Sequence, residues 1–189
     1  MPPNLPAALP RRGGPLTRAL GRVVLRMLGW RIEGAIPNVP KLVVIAAPHR
    51  SNWDFVVGIA AKLALGLDAL WLGKHTLFRR PFGWLFRRLG GIPVDRRSAH
   101  DTVASVVAEF NRRDTLVLGL APEGTRKPGA GWKSGFWHIA HGANVPILPV
   151  AFDWNNRVIR ILPMITPTDV DRDMDELQRQ YEGFHGPHG

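Results

Sequence analysis

Cysteine is absent from the 189-residue sequence. Its absence excludes a disulfide-stapled scaffold, fits a reducing compartment and removes the thiolate as a nucleophile. Acidic residues are scarce: 15 Asp and Glu stand against 25 Lys and Arg, a formal charge of +10. A surplus of that size calls for a partner of opposite sign, either an anionic lipid surface or a nucleic acid. Long apolar runs are missing too. The best, residues 55–61, stops at Lys62, far short of the ~20 residues that cross a bilayer, so no membrane span is expected. The start, MPPNLPAALPRRGGPL, places prolines and arginines where a secretory signal needs an unbroken apolar stretch. There is no internal repeat, and no zinc-finger, RNA-recognition or helix-turn-helix signature. Nucleic-acid binding would rest on charge alone and is not expected.

The most informative stretch is Pro48-His49-Arg50-Ser51-Asn52-Trp53-Asp54, with a histidine and an aspartate five positions apart after an apolar run. The run at 41–47 (KLVVIAA) reads as a buried strand, and residues 52–66 carry apolar positions at helical spacing. His49 is therefore predicted in a strand-to-helix turn and Asp54 in the first helical turn. A carboxylate there accepts a hydrogen bond from one imidazole nitrogen and leaves the other free as a base. No Gly-x-Ser-x-Gly elbow accompanies the pair, so such a base would activate the hydroxyl of a substrate. Ser51-x-x-Asp54 also fits a capping box. The two readings are compatible, because a cap that fixes Asp54 also fixes its distance from His49.

Beyond this point strands and helices alternate. Strands are predicted at 69–73, 92–95, 115–120, 147–152 and 158–162, with Asn155-Asn156 as a hairpin turn. Helices are predicted at 75–89, 98–112, 132–141 and 171–181. The pattern predicts an α/β fold: a mixed, largely parallel central sheet flanked by helices, with an N-terminal amphipathic helix. One domain is expected at 15–182, between a disordered basic lead at 1–14 and a flexible tail at 183–189.

Charged residues gather where the predicted strands end. Gly90-Gly91-Ile92-Pro93-Val94-Asp95-Arg96-Arg97 closes one strand, and Ala121-Pro122-Glu123-Gly124-Thr125-Arg126-Lys127 follows another. The segment VPILPV at 145–150 is bracketed by prolines, which suit strand starts and edges. In open α/β sheets such ends bind ligands. Guanidinium forks match phosphate oxygens bidentately, so the chemistry indicated is recognition of a phosphate monoester. Gly124 permits an unusual backbone angle or a close ligand approach.

In this order the motifs PHRSNWD, GIPVDRR, APEGTR and VPILPV resemble those of the glycerolipid acyltransferase family, specifically its lysophosphatidic acid (1-acylglycerol-3-phosphate) acyltransferases, over about residues 41–153. The resemblance implies that His49 is the general base and that Asp54 orients it. It implies that Arg96 binds the acceptor's phosphate, and that Glu123, Gly124, Thr125 and Arg126 hold its glycerol phosphate. The implied donor is an acyl thioester on coenzyme A or acyl carrier protein, the implied product phosphatidic acid, with no cofactor and no metal. Other lysolipid acceptors, such as a lyso-ornithine lipid, fit the same motifs. A non-catalytic binder of anionic lipid would need neither His49 nor Asp54. A serine hydrolase would need Ser51 or Ser134 in an elbow that the sequence does not contain.

Two segments suit an anionic membrane surface, and the expected location is the cytoplasmic face, peripherally bound. Residues 16–30 (LTRALGRVVLRMLGW) place Leu16, Leu20, Val23, Val24, Met27 and Leu28 at helical spacing, with Arg18, Arg22 and Arg26 at i, i+4. An ordinary helix packed on the domain, with a solvated arginine face, reads the same way. Residues 78–88 interleave aromatics with arginine pairs, as a headgroup boundary favours. His138 and His141 have no carboxylate or cysteine nearby in sequence and are expected to pack or face solvent. The tryptophans are assigned no chemistry.

Overall fold

A computed structural model of the chain describes residues 2–49, 51–94, 99–124 and 131–184. After α1 (Pro15–Met27) come β1 (Arg31–Glu33), β2 (Lys41–Ala47), α2 (Asn52–Leu65) and β3 (Ala69–Lys74). Next are α3 (Gly83–Arg88), β4 (Gly91–Val94), α4 (Ala99–Arg112) and β5 (Leu116–Leu120). The chain closes with α5 (Gly135–Gly142), β6 (Ile147–Asp153), β7 (Val158–Ile161) and α6 (Val170–Gln180). Among the described residues the strands form one sheet in the order β1-β7-β6-β2-β5-β3-β4. Every neighbouring pair is parallel except the β6–β7 hairpin. The sheet is thus mixed and largely parallel, as the alternation predicts.

Side-chain alternation along β2 divides the interior. Val43, Ile45 and Ala47 face a core closed by Phe110 of α4, Phe136 and Ile139 of α5, and Leu177 of α6. On the other side Val57, Ala60 and Ala64 of α2 pack with Leu25, Trp30 and Phe152. Tyr181 locks the first layer to the sheet. Its hydroxyl accepts the Val150 N–H at 2.8 Å and lies 2.8 Å from the Ile45 carbonyl oxygen, to which it donates. Burial pushes the phenol well above its ordinary range.

Two expectations are corrected, and one strand was not foreseen. The lead, expected to be disordered over 1–14, is ordered over its described residues 2–14: Leu5 (8 % exposed) and Leu9 (3 %) are sealed against Leu42, Val117 and Leu148. The Arg12 N–H donates to the Gly66 carbonyl at 2.9 Å and the Asp68 N–H to Pro10 at 2.9 Å. Two leucines at that spacing are enough to hold a proline-rich strap. The helix at 75–89 is broken into a 3₁₀ turn at His75–Phe78 and α3. Pro81 has no N–H for a continuous ladder, and a side chain at Gly83 would come within 2.0 Å of the Phe78 carbonyl oxygen. Strand β1 has only three residues, too few to show a period.

Lys62 is buried with its ammonium donating to the Leu89 carbonyl at 2.6 Å. Burial lowers its pKa from 10.5 to about 8, with Asp68 opposing and Arg12 adding to the shift. The folded chain therefore releases this proton before the unfolded chain does. Between about pH 8 and pH 10 the unfolded state holds more protons, so stability is expected to rise; above about pH 10 Tyr181 contributes the opposite slope. Urea midpoints at pH 7.5 and 9.5 check this. The rise should vanish in Lys62→Met, and an unchanged rise in that variant would assign it elsewhere.

Candidate active site

Strand β2 runs through the middle of the sheet and delivers His49 just beyond its C-terminal end. Helix α2 then begins with a full capping box. The Ser51 side chain accepts the Trp53 N–H at 3.1 Å, and the Asp54 carboxylate accepts the Ser51 N–H at 2.6 Å. The cap drives Asp54 inward, where its side chain is wholly buried, and sets Oδ2 3.8 Å from His49 Nδ1. That is an ion-pair distance. Capping and pairing with His49 are therefore two uses of one carboxylate.

Two further strand ends complete the geometry. From the end of β5, the buried Glu123 carboxylate accepts the His49 N–H at 3.3 Å. From the end of β6, the Trp154 indole N–H donates to Asp54 Oδ1 at 2.9 Å. Both Asp54 oxygens are thus held by N–H donors, a substitute for the water lost on burial. Trp154 is carried by a fixed turn. Burial raises the Asp153 pKa, but hydrogen bonds from Asn156 and from Arg160 outweigh it and leave the carboxyl below its ordinary range.

Of the residues predicted for the site, His49, Asp54, Glu123 and Gly124 are brought together, although His49 and Glu123 are 74 positions apart. Arg96, Thr125 and Arg126, with Arg97 and Lys127, lie outside the described residues. Gly124 has φ +61, and a side chain there would meet Lys133 at 3.3 Å. Sequence reasoning missed Trp154. The only available signal was its place one residue beyond β6, whose neighbour β2 ends two residues before His49.

A cavity of ≈590 Å³ opens beside His49 and Asp54. One wall is the sheet face carrying Val44, Ala46 and Val150, and the other is α2 with Phe55 and Ile59. Leu5 and Leu65 lie among its lining. The lining is predominantly aliphatic and aromatic, with a few polar groups, the composition of a site for an apolar chain with one reactive polar end.

The surface divides the apolar positions of α1 into two sets. Gly21 and Leu25 are its buried residues, whereas Leu16 (87 % exposed), Leu20, Val23 and Met27 (81 %) stand in solvent. That part of the apolar stripe faces away from the domain, whereas Val24 and Leu28 pack against the core. Phe82 and Trp84 are also exposed beside arginines. No helix among the described residues is long and apolar enough to cross a membrane. His141 stacks on Trp137 at 4.7 Å and His138 meets the same ring edge-on.

The chain is similar to known proteins of one kind. The sequence model of the family described as Acyltransferase matches residues 32–153. A 1-acyl-sn-glycerol-3-phosphate acyltransferase of Salmonella typhimurium is 34% identical over 143 residues, covering 67% of this chain and 57% of its own. The chain thus spans under two thirds of that relative's length. One of Haemophilus influenzae is 30% identical over 181 residues, covering 85% and 73%. The crystal structure of a 1-acyl-sn-glycerophosphate (LPA) acyltransferase from Thermotoga maritima shares the fold, with a TM-score of 0.60 and 19% identity over 87% of this chain and 74% of that one.

Proposed function

This chain belongs to the acyltransferase family, and from that premise we propose that it moves a fatty acyl group from an acyl thioester to the free hydroxyl of 1-acylglycerol-3-phosphate, giving phosphatidic acid. The observation that carries the reading is a histidine backed by a buried aspartate beside a largely apolar cavity. With Nδ1–H directed at Asp54, His49 Nε2 takes the hydroxyl proton as the oxygen attacks the thioester carbonyl. The tetrahedral intermediate collapses with cleavage of the C–S bond, and His49 returns the proton to the departing thiolate. Asp54 stabilises the imidazolium between these steps. The acyl chain of the donor lies in the cavity between α2 and the sheet. The donor carrier is coenzyme A or acyl carrier protein.

Mass spectrometry of products from pure protein, acyl-CoA or acyl-carrier-protein donor and a panel of lysolipids tests this. Phosphatidic acid as the main product supports it; transfer only to a lyso-ornithine lipid replaces the acceptor; no transfer to any lysolipid contradicts it. Arg96 and Arg126 are assigned to the acceptor phosphate. Arg126→Lys, which keeps the charge but loses the planar fork, should raise the KM for lysophosphatidic acid about tenfold and leave that of the donor unchanged. Unchanged acceptor kinetics would remove the bidentate contact.

The same reading places the protein peripherally on an anionic membrane, at the inner face of the cytoplasmic membrane, with Leu16, Leu20, Val23 and Met27 in the headgroup boundary. Salt screens the arginine contribution but not the leucines. Leu20→Glu should therefore abolish the vesicle binding that persists at high salt. Co-sedimentation checks this, and full retention by the variant would assign membrane binding to another surface.

A further inference from the structure

The first acidic residue of the chain is Glu33, after Arg11, Arg12, Arg18, Arg22, Arg26 and Arg31. Three of these arginines share a cavity of ≈410 Å³ between the N-terminal strap and the junction of α1 with α2. Arg11, Arg18 and Arg22 line it with Pro2, Asn4 and Leu65. No ion pair to a described carboxylate is formed by any of the three, while the adjacent Asp68 is taken by Arg12 at 3.4 Å. Arg11 spends one N–H on the Leu5 carbonyl at 2.7 Å, which curls the strap around the cavity. The Arg18 Nε is buried with no hydrogen-bond partner among the described residues, an uncommon state for a charged donor.

We propose that Arg11, Arg18 and Arg22 form a second phosphate-binding site, separate from the one at His49. Converging guanidinium groups without carboxylates favour a dianionic or diester phosphate, whose oxygens would fill the orphan donor of Arg18. Ala64, in its wall, is ten residues from Asp54, or about 15 Å along α2, so one phosphate does not serve both places. Leu5 and Leu65 line both cavities and separate the cationic one from the apolar one. The exposed stripe Leu16–Leu20–Val23–Met27 on the same helix brings a lipid phosphate within reach. Free phosphate and a phospholipid headgroup carry the same chemistry, and the test separates them.

Full-length wild type, Arg18→Gln and Arg26→Gln are compared in two arms. Arg26 lies on the same helix, is exposed, and does not line the cavity, so its variant matches the loss of charge. The first arm follows the thermal midpoint with added inorganic phosphate against chloride at equal ionic strength. Any acceptor site contributes equally to all three proteins, so the difference between them is the readout. The second arm measures binding to phosphatidylcholine vesicles with and without phosphatidylglycerol. One lost charge near an anionic surface accounts for about fivefold.

The site predicts that Arg18→Gln loses the phosphate-dependent rise in midpoint, or more than tenfold of the phosphatidylglycerol-dependent affinity, while Arg26→Gln keeps the first and loses no more than about fivefold of the second. The first effect alone assigns free phosphate; the second assigns the lipid headgroup. Equal behaviour of the two variants in both arms overturns the proposal. If Arg18→Gln fails to fold, Arg22→Gln takes its place under the same criteria.

Discussion

His49→Ala is expected to lose at least 10²-fold, and up to about 10⁴-fold, of acyl transfer with little change in stability, since general-base catalysis contributes on that order. The imidazole is part exposed and its contact with Asp54 is an ion-pair distance of 3.8 Å. The groups fixing the turn are elsewhere: the His49 backbone N–H on Glu123 and the Ser51–Asp54 cap. Alanine keeps all of them. The loss should therefore fall on kcat, with the urea midpoint within experimental error of wild type. Near-normal turnover in the folded variant would remove His49 as the base.

Asp54→Asn should lose activity on the same order of magnitude, and it should also lose stability. The isostere preserves shape, yet both Asp54 oxygens accept, one from Ser51 N–H and the other from the Trp154 indole. An amide offers one oxygen, so its NH₂ must face an N–H donor, at a cost of about 1–3 kcal/mol. Adding Trp154→Phe removes one of the two donors. The double variant should recover part of the stability and none of the activity, because the negative charge beside the imidazolium is still missing. Urea unfolding and kcat/KM, measured on Asp54→Asn, Trp154→Phe and the double variant, separate the two effects. Recovery of activity in the double variant would show that Asp54 acts through local packing alone.

The parts legible in the sequence were those with local causes. The apolar run into His49, the Ser51 cap and the helical spacing after it place His49 and Asp54, because strand, turn and cap are local to them. The alternation of elements likewise gives the sheet class. What escaped depends on distance along the chain or on which side of an element turns inward. Trp154 reaches Asp54 across 100 positions, and no local pattern marks it. The strap at 1–14 reads as disordered by composition, yet Leu5 and Leu9 find buried places on the sheet. The two faces of α1 are both visible in its periodicity, but not their orientation. Gly21 decides that: a side chain there would come within 2.3 Å of the Ala64 backbone, so the glycine face lies on α2 with Leu25, and Leu16 and Leu20 point outward.

In the proposed reaction transfer is direct: His49 activates the acceptor's hydroxyl, and no acyl group rests on the protein. Thiol release from an acyl thioester, followed together with the intact mass of the protein, with and without lysophosphatidic acid, tests it most directly. Direct transfer gives release only when the acceptor is present, in step with diacyl product, and no mass increment on the chain. Rapid release without acceptor, accompanied by an acyl increment on the protein, would contradict it and point to a covalent intermediate.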